Sequence, residues 1–300
     1  MEFREVRSLV LLAESGSIRS VADTVHLSSP SVHKHLKTLE GEFGVQLYER
    51  DGRALKLTAA AETILPYLQN IVADYDTAIR VLDEWKGVRR GIVHIGAGQI
   101  VGTYLVPVIL EKFFARYPEV NATIHTGPVK FLIEQLNSGA VDLAFIAVPE
   151  LDDEQRSALD SFDVVCEVVD LLMVLVSGVP MGRRRYSLAE LQHLPFVRYD
   201  KALGINRVVQ RYFAEAGFRP RAVVRCDYTE TMKVMVQKVK GISLLPLWAV
   251  KEEVRSGSLW IVRQVEPPLQ LKVVLASRKG RYAPPAVRAL IDVIRRHNPV

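Results

Sequence analysis

Basic side chains in two tight clusters, histidines beside them and two distant cysteines are the residues of this chain whose types and spacing could do chemistry. Lys34 and Lys37 form one cluster and Arg50, Arg53 and Lys56 the other, with His26, His33 and His35 interleaved. Cations focused this way grip an anionic polymer through its phosphates, with neighbouring polar groups free to read it. Bulk charge alone points only weakly in that direction. The 300 residues carry 39 Lys+Arg against 34 Asp+Glu, a net charge of +5. Residues 1–60 hold as many acidic as basic side chains, so any electrostatic grip there comes from placement, not from excess charge.

Other chemistries find little support. Cys166 and Cys226 lie far apart and in no CxxC pair, which argues against zinc or a structural disulfide and for two half-buried core thiols. A thiol redox pair stays open as an alternative, because both fall in what reads as one subdomain. His33 and His35 lie about 200° apart on a helical wheel and cannot share a metal ion. His94, His125 and His193 are scattered, and there is neither a G-x-S-x-G elbow nor an HExxH helix, so no enzyme and no metal are expected. Gly96-Ala97-Gly98-Gln99-Ile100-Val101-Gly102 imitates a dinucleotide-binding loop, but its spacing is GxGxxxG. The next strand ends in His125-Thr126 without an acid for a ribose, and Pro107 interrupts the following helix. An NAD-binding α/β enzyme with an incidental helix-turn-helix is therefore the competing class, with no cofactor the preferred reading. Arg183-Arg184-Arg185 reads as a solvated basic loop. No apolar run is long enough for a membrane span and no secretory h-region opens the chain, which places the protein in the cytoplasm with no membrane partner.

The elements that must position the basic clusters can be read next. Phe3, Val6, Leu9, Val10 and Ala13 make a helical stripe that Gly16 ends. Ser17 caps a second short helix bearing Ile18, Val21, Ala22 and Val25, and His26-Leu27-Ser28 turns the chain. Ser29 caps a third helix with Pro30 at its first position. On that helix Val32, Leu36 and Leu39 face inward, while Lys34 and Lys37 face out with Ser31 and Thr38 beside them. Val45–Arg50 and Arg53–Leu57 alternate like strands around an Asp51-Gly52 turn, a wing that carries Arg50, Arg53 and Lys56. Helix, turn, capped helix and wing together form a winged helix-turn-helix.

The run Ala22…Leu27-Ser28-Ser29-Pro30-Ser31-Val32-His33-Lys34-His35-Leu36…Leu39-Glu40…Gly44-Val45-Gln46-Leu47-Tyr48-Glu49-Arg50…Leu57-Thr58 closely resembles LysR-type transcriptional regulators. The resemblance continues more weakly through the whole chain. It implies double-stranded DNA with a dyad-symmetric operator as partner, touched by Ser28, Ser29, Pro30, Ser31, His33, Lys34, His35, Lys37, Thr38, Arg50, Arg53 and Lys56. It also implies a homodimer or homotetramer and a contact with RNA polymerase. Ser29, His33 and Ala61 stand where the family usually has Gln, Ser and Gly, and the first two departures shift the expected operator preference.

Residues 1–58 thus form the DNA-binding domain and residues 59–90 a linker and hinge. Ile64, Leu68, Ile71, Tyr75, Ala78, Leu82 and Trp85 repeat at spacings of four and three, a seam for a partner helix, with Pro66 bending the first turns. From Ile92 short β runs alternate with helices, the pattern of a parallel α/β sheet. Residues 91–300 resemble a two-lobed periplasmic-binding-protein-like α/β effector domain, with lobe 1 at about 91–162 and 268–300 and lobe 2 at about 163–267. The N–H groups of Gly98, Gln99 and Ile100 open a helix and could seat an anion. By resemblance a small-molecule effector, a metabolite carboxylate or an aromatic, lies between the lobes against Gly98, Gln99, Ile100, Thr126, Val129, Val148, Tyr199, Asp200 and Thr229. The family often has hydroxyls around 98–100 and near 129, where this chain has Gly98, Ile100 and Val129, so a less polar ligand is expected.

Overall fold

The computed structural model describes residues 1–51, 54–85, 91–148, 151, 153–200 and 204–296. The chain divides into two compact units, one built from Met1–Val88 with Asn137–Ala140 and the other from Arg89–Leu136 and Val141–Val300.

In the first unit the local signals of the sequence appear as caps. Helix α1 (Phe3–Ser15) ends where Gly16 turns left-handed at φ 62° and bonds back to the Leu12 carbonyl. Ser17 accepts from the Ser20 N–H and so starts α2 (Ile18–Val25). His26 adopts φ 55°, a conformation that a side chain rarely tolerates, and this tightens the turn into α3 (Ser29–Phe43). The cap of α3 is Ser28, which accepts from the Ser31 N–H, so Pro30 stands at the second helical position. The expected cap is thus displaced by one residue, because Ser28 meets the third helical N–H while Ser29 already belongs to the helix. Val32, Leu36 and Leu39 are fully buried against Val6 and Leu9 of α1.

Strands β1 (Tyr48–Asp51) and β2 (Ala54–Leu57) pair antiparallel, with Asp51 opposite Ala54. Asp51, expected in the turn, is therefore the last paired residue of β1, and the expected Gly52 lies outside the described residues. Thr58 begins the 27-residue α4 (Ala59–Trp85): its Oγ1 accepts from the Ala61 N–H and donates to the Gln46 carbonyl. The helix passes through Pro66, well inside its span. Ala61 and Leu68 are buried in the head core, with Ile64, Leu65 and Val72 packed on it. Leu68 therefore cannot serve the intersubunit seam expected of it. The head's own apolar face claims it first.

The second unit runs β3 (Ile92–Ala97), α5 (Gln99–Tyr104), α6 (Val106–Arg116), β4 (Asn121–Thr126), α7 (Val129–Ser138), β5 (Leu143–Ala147), α8 (Asp153–Leu159) and β6 (Phe162–Ser177). It continues with β7 (Phe196–Tyr199), α9 (Gly204–Glu215), β8 (Ala222–Cys226), α10 (Thr229–Lys238), β9 (Ile242–Pro246) and α11 (Leu247–Ser256). Strands β10 (Trp260–Ile261) and β11 (Gln270–Arg278) and helix α12 (Pro285–Arg296) complete it. The helix expected over 103–116 is divided at Leu105, because Pro107 has no N–H to continue the ladder.

One sheet carries all of these strands in the order β4-β3-β5-β11-β6-β9-β7-β8, with β10 on β6. β3 pairs parallel with β4 and β5, and β7 parallel with β8 and β9, as the alternating pattern predicts. β6 and β11 run antiparallel to their neighbours, so the sheet is mixed and not parallel throughout. The reason lies in the crossings. β6 pairs with β11 over Phe162–Leu172 and then with β9 over Met173–Ser177, so a single strand passes from one lobe to the other. β5 is buried on both faces: Leu143 and Phe145 belong to the main core, Ala144 and Ile146 to a second one behind the sheet.

Candidate nucleic-acid interface and ligand cleft

The outer face of α3 presents Ser28, Ser29, Pro30, His33, Lys34, Lys37 and Thr38 to solvent, with Ser31 half-buried. Ser28 and Ser31 share a hydroxyl contact of 2.8 Å, and Thr38 donates back to the Lys34 carbonyl at 3.0 Å. Among the described residues the Lys34 ammonium has no partner. Lys37 is paired with Glu40 at 2.7 Å and sits 5.4 Å from the Tyr48 ring centre, which raises its pKa. Burial works against the Glu40 carboxylate, but hydrogen bonds from Lys37 and the Leu47 N–H outweigh it and hold its pKa down. Glu40 thereby fixes the recognition helix to the segment entering the wing. His33 stands edge-on to Tyr48 at 6.2 Å.

His35 departs from its expected place. Its ring is half-buried and its Nδ1 lies 3.0 Å from the Ser8 hydroxyl, a pin between α3 and α1. Position 35 falls only one residue before fully buried Leu36, and the α1 surface captures it. Lys56 is exposed on β2. Arg53 lies outside the described residues, as does the Arg50 side chain.

In the second unit a cavity of about 600 Å³ opens where the strand ends of both lobes meet. Gly98, Gln99, Ile100, Thr126, Val129, Tyr199 and Thr229 all line it, while Val148 and Asp200 do not. The Asp200 N–H donates to the Cys226 carbonyl, which ties that residue into the β7–β8 pair. Apolar walls come from Val101, Leu132, Phe145, Leu171 and Ile205. Lys130, Gln155 and Arg207 also line the cavity, beyond the expected set, and Asp227 is a further charged group among the described lining residues. Lys130 adjoins Val129 and is within reach of a sequence reading, whereas Gln155 and Arg207 arrive from helices that no local pattern ties to the site. Thr229 is the first residue of α10, and its N-cap Tyr228 makes no side-chain cap. Its Oγ1 is buried with no hydrogen-bond partner among the described residues, in a residue only 3% exposed. A buried hydroxyl left open at a helix start is a polar group able to meet a further partner.

The two cysteines are separated. Cys166 lies on the part of β6 that pairs with β11, and Cys226 ends β8 beside Tyr199. Strands β9 and β7 stand between β6 and β8, which sets the two strands roughly 14 Å apart. A disulfide needs Cα atoms within about 7 Å. Burial also pushes both thiols up, which favours the protonated form. The grouping of both thiols in one subdomain is thus corrected: β6 spans both lobes, and Cys166 sits on its lobe 1 half. Among the described residues no group of three or more His, Cys, Asp or Glu could hold a metal ion.

A capped recognition helix with a wing, and a body whose two lobes line a shared cavity, define a DNA-binding regulator with a ligand-binding domain. Residues 3–62 match the bacterial regulatory helix-turn-helix protein family of lysR type, and residues 86–299 match the LysR substrate binding domain. The chain belongs to the LysR family of transcriptional regulators. It is 26% identical to the RuBisCO operon transcriptional regulator of Allochromatium vinosum, covering 98% of this chain and 95% of that one. It is 25% identical to the probable nitrogen assimilation transcriptional activator of Synechococcus elongatus, over 96% and 92% of the two chains. The fold is shared with a full-length OxyR variant from Pseudomonas aeruginosa at a TM-score of 0.76 and 23% identity, covering 98% and 95%. Full-length CbnR complexed with its target DNA matches at 0.67 and 18%, covering 99% of each chain.

Proposed function

We propose that α3 enters the major groove of a dyad-symmetric operator, with Lys34, Lys37, Lys56, Arg50 and Arg53 on phosphates and His33, Ser29 and Thr38 beside base edges. The protein acts in the cytoplasm, where it controls transcription through contact with RNA polymerase and performs no catalysis. Among the described residues no helix is long and apolar enough to cross a membrane. Two copies pair through the distal part of α4. Ile71, Tyr75, Ile79 and Leu82 remain exposed there, after Leu68 has turned into the head and Tyr75 has stacked on Phe3 at 4.1 Å. An apolar row of this kind supports a partner helix. The Trp85 side chain lies outside the described residues.

The cleft supports a small-molecule effector, and one observation carries that reading: the open Thr229 hydroxyl inside a cavity with apolar walls. Among the described lining residues the cationic groups of Lys130 and Arg207 stand beside apolar walls, which favours a carboxylate on an apolar or aromatic body. The ligand regulates by binding one lobe arrangement more tightly than another. Thermal unfolding of the full chain against benzoate, succinate and their neutral amides tests this. A higher midpoint with the acids alone, lost in Thr229→Val, is the expected result; equal effects of acids and amides would remove the charge argument.

A further inference from the structure

We propose that Tyr104, Glu230, Lys233 and Glu253 form a latch between the two lobes that positions both sides of the ligand cleft. The contacts close on themselves. The Tyr104 hydroxyl donates to one Glu230 oxygen, and the Lys233 ammonium donates to the other at 2.8 Å. Lys233 donates further to Glu253 at 2.7 Å and to the Ala249 carbonyl at 2.9 Å, so its three N–H groups are all used. Its Nζ also lies 5.7 Å from the centre of the Tyr104 ring. Tyr104 ends α5, which follows β3, whereas the other three residues sit on α10 and α11, which flank β9. β3 and β9 belong to opposite halves of the sheet. The latch therefore spans the lobes.

Its ends adjoin the cleft. Tyr104 lies one turn beyond Ile100, and Glu230 directly follows Thr229; both Ile100 and Thr229 line the cavity. A shift of either cleft-lining turn must carry the latch with it or break the Tyr104–Glu230 bond. Lys233 is 7% exposed while Glu230 and Glu253 are half-buried, and an ion pair anchored on a buried cation fixes geometry more than it adds net stability. Burial lowers the Lys233 pKa, but the hydrogen bonds to Glu230 and Glu253 outweigh it and raise it, so the ammonium stays charged at neutral pH. None of this requires an occupied cleft, so the latch stands or falls separately from the effector reading.

Hydrogen exchange of the full chain without ligand tests it, comparing wild type with Tyr104→Phe. That substitution removes one hydroxyl and keeps the ring over Lys233. The amides of Gln99–Leu105 and of Thr229–Lys233 are expected to exchange together, about three- to tenfold faster, with Leu143–Ala147 of β5 unchanged. Unchanged exchange at both segments, acceleration in one lobe only, or acceleration that includes β5 would overturn the proposal. Glu230→Gln, in which one oxygen still accepts from Tyr104 but the negative charge facing Lys233 is lost, is expected to free Thr229–Lys233 more than Gln99–Leu105. It provides the same decision should Tyr104→Phe not fold.

Discussion

Lys34 and Lys233 are both lysines on α-helices, yet one stands in solvent without a partner among the described residues and the other is buried with every N–H engaged. The exposed ammonium adds nothing to the fold and is available to a polyanion. The buried one is tied up by the fold and must hold something in place. The satisfaction of a charge, more than its presence, separates a binding group from a positioning group.

The largest effect expected from breaking this contrast is at Lys233. Replacing it by Met leaves Glu230 and Glu253 without their counter-ion in a half-closed setting, and should cost about 3 kcal/mol in urea unfolding. Lys34→Ala should leave unfolding within about 0.5 kcal/mol of wild type. Next comes α4, where the same division separates two leucines. Leu68→Ala should lower stability by about 2 kcal/mol through the cavity it leaves. Leu82→Ala, at a residue 58% exposed, should instead leave chain stability intact and weaken self-association measured by sedimentation. Equal unfolding losses at both positions would erase the distinction. Smaller still is the histidine pair. His35→Ala should destabilise the head by about 1 kcal/mol through loss of the Ser8 contact, without changing base preference in a binding-site selection. His33→Ala should do the reverse. The smallest effect concerns pH. Lys233 has its folded pKa raised, so its contribution is complete below the ordinary lysine value and is lost only as pH rises through the folded one. Stability measured from pH 6 to 9 should therefore show no step attributable to it.

Much of the head is legible in the sequence because its determinants are local. Ser17 and Thr58 cap helices within three residues of themselves, the third cap falls at Ser28, one residue before the expected Ser29, and Gly16 and the hairpin of β1 and β2 act over similar distances. His35 reads as a surface residue because its partner, Ser8, lies 27 residues away and leaves no periodic trace. Leu68 reads as outward-facing for a related reason: a heptad pattern reports that a face is apolar, not which surface covers it. In the body the strands are legible as apolar runs, but the antiparallel course of β6 and β11 is not, since a run of Val and Leu looks alike in either direction. The cleft can be found by its loops, without Gln155 and Arg207, which reach it from helices only after the sheet has closed around it.

The salt dependence of DNA affinity tests the central claim most directly, with wild type and Lys34→Ala compared on one duplex obtained by binding-site selection. Wild-type affinity should fall steeply as salt rises, and the variant should bind more weakly, with a log–log slope smaller by about 1. An unchanged slope in Lys34→Ala would contradict the placement of α3 on the phosphate backbone.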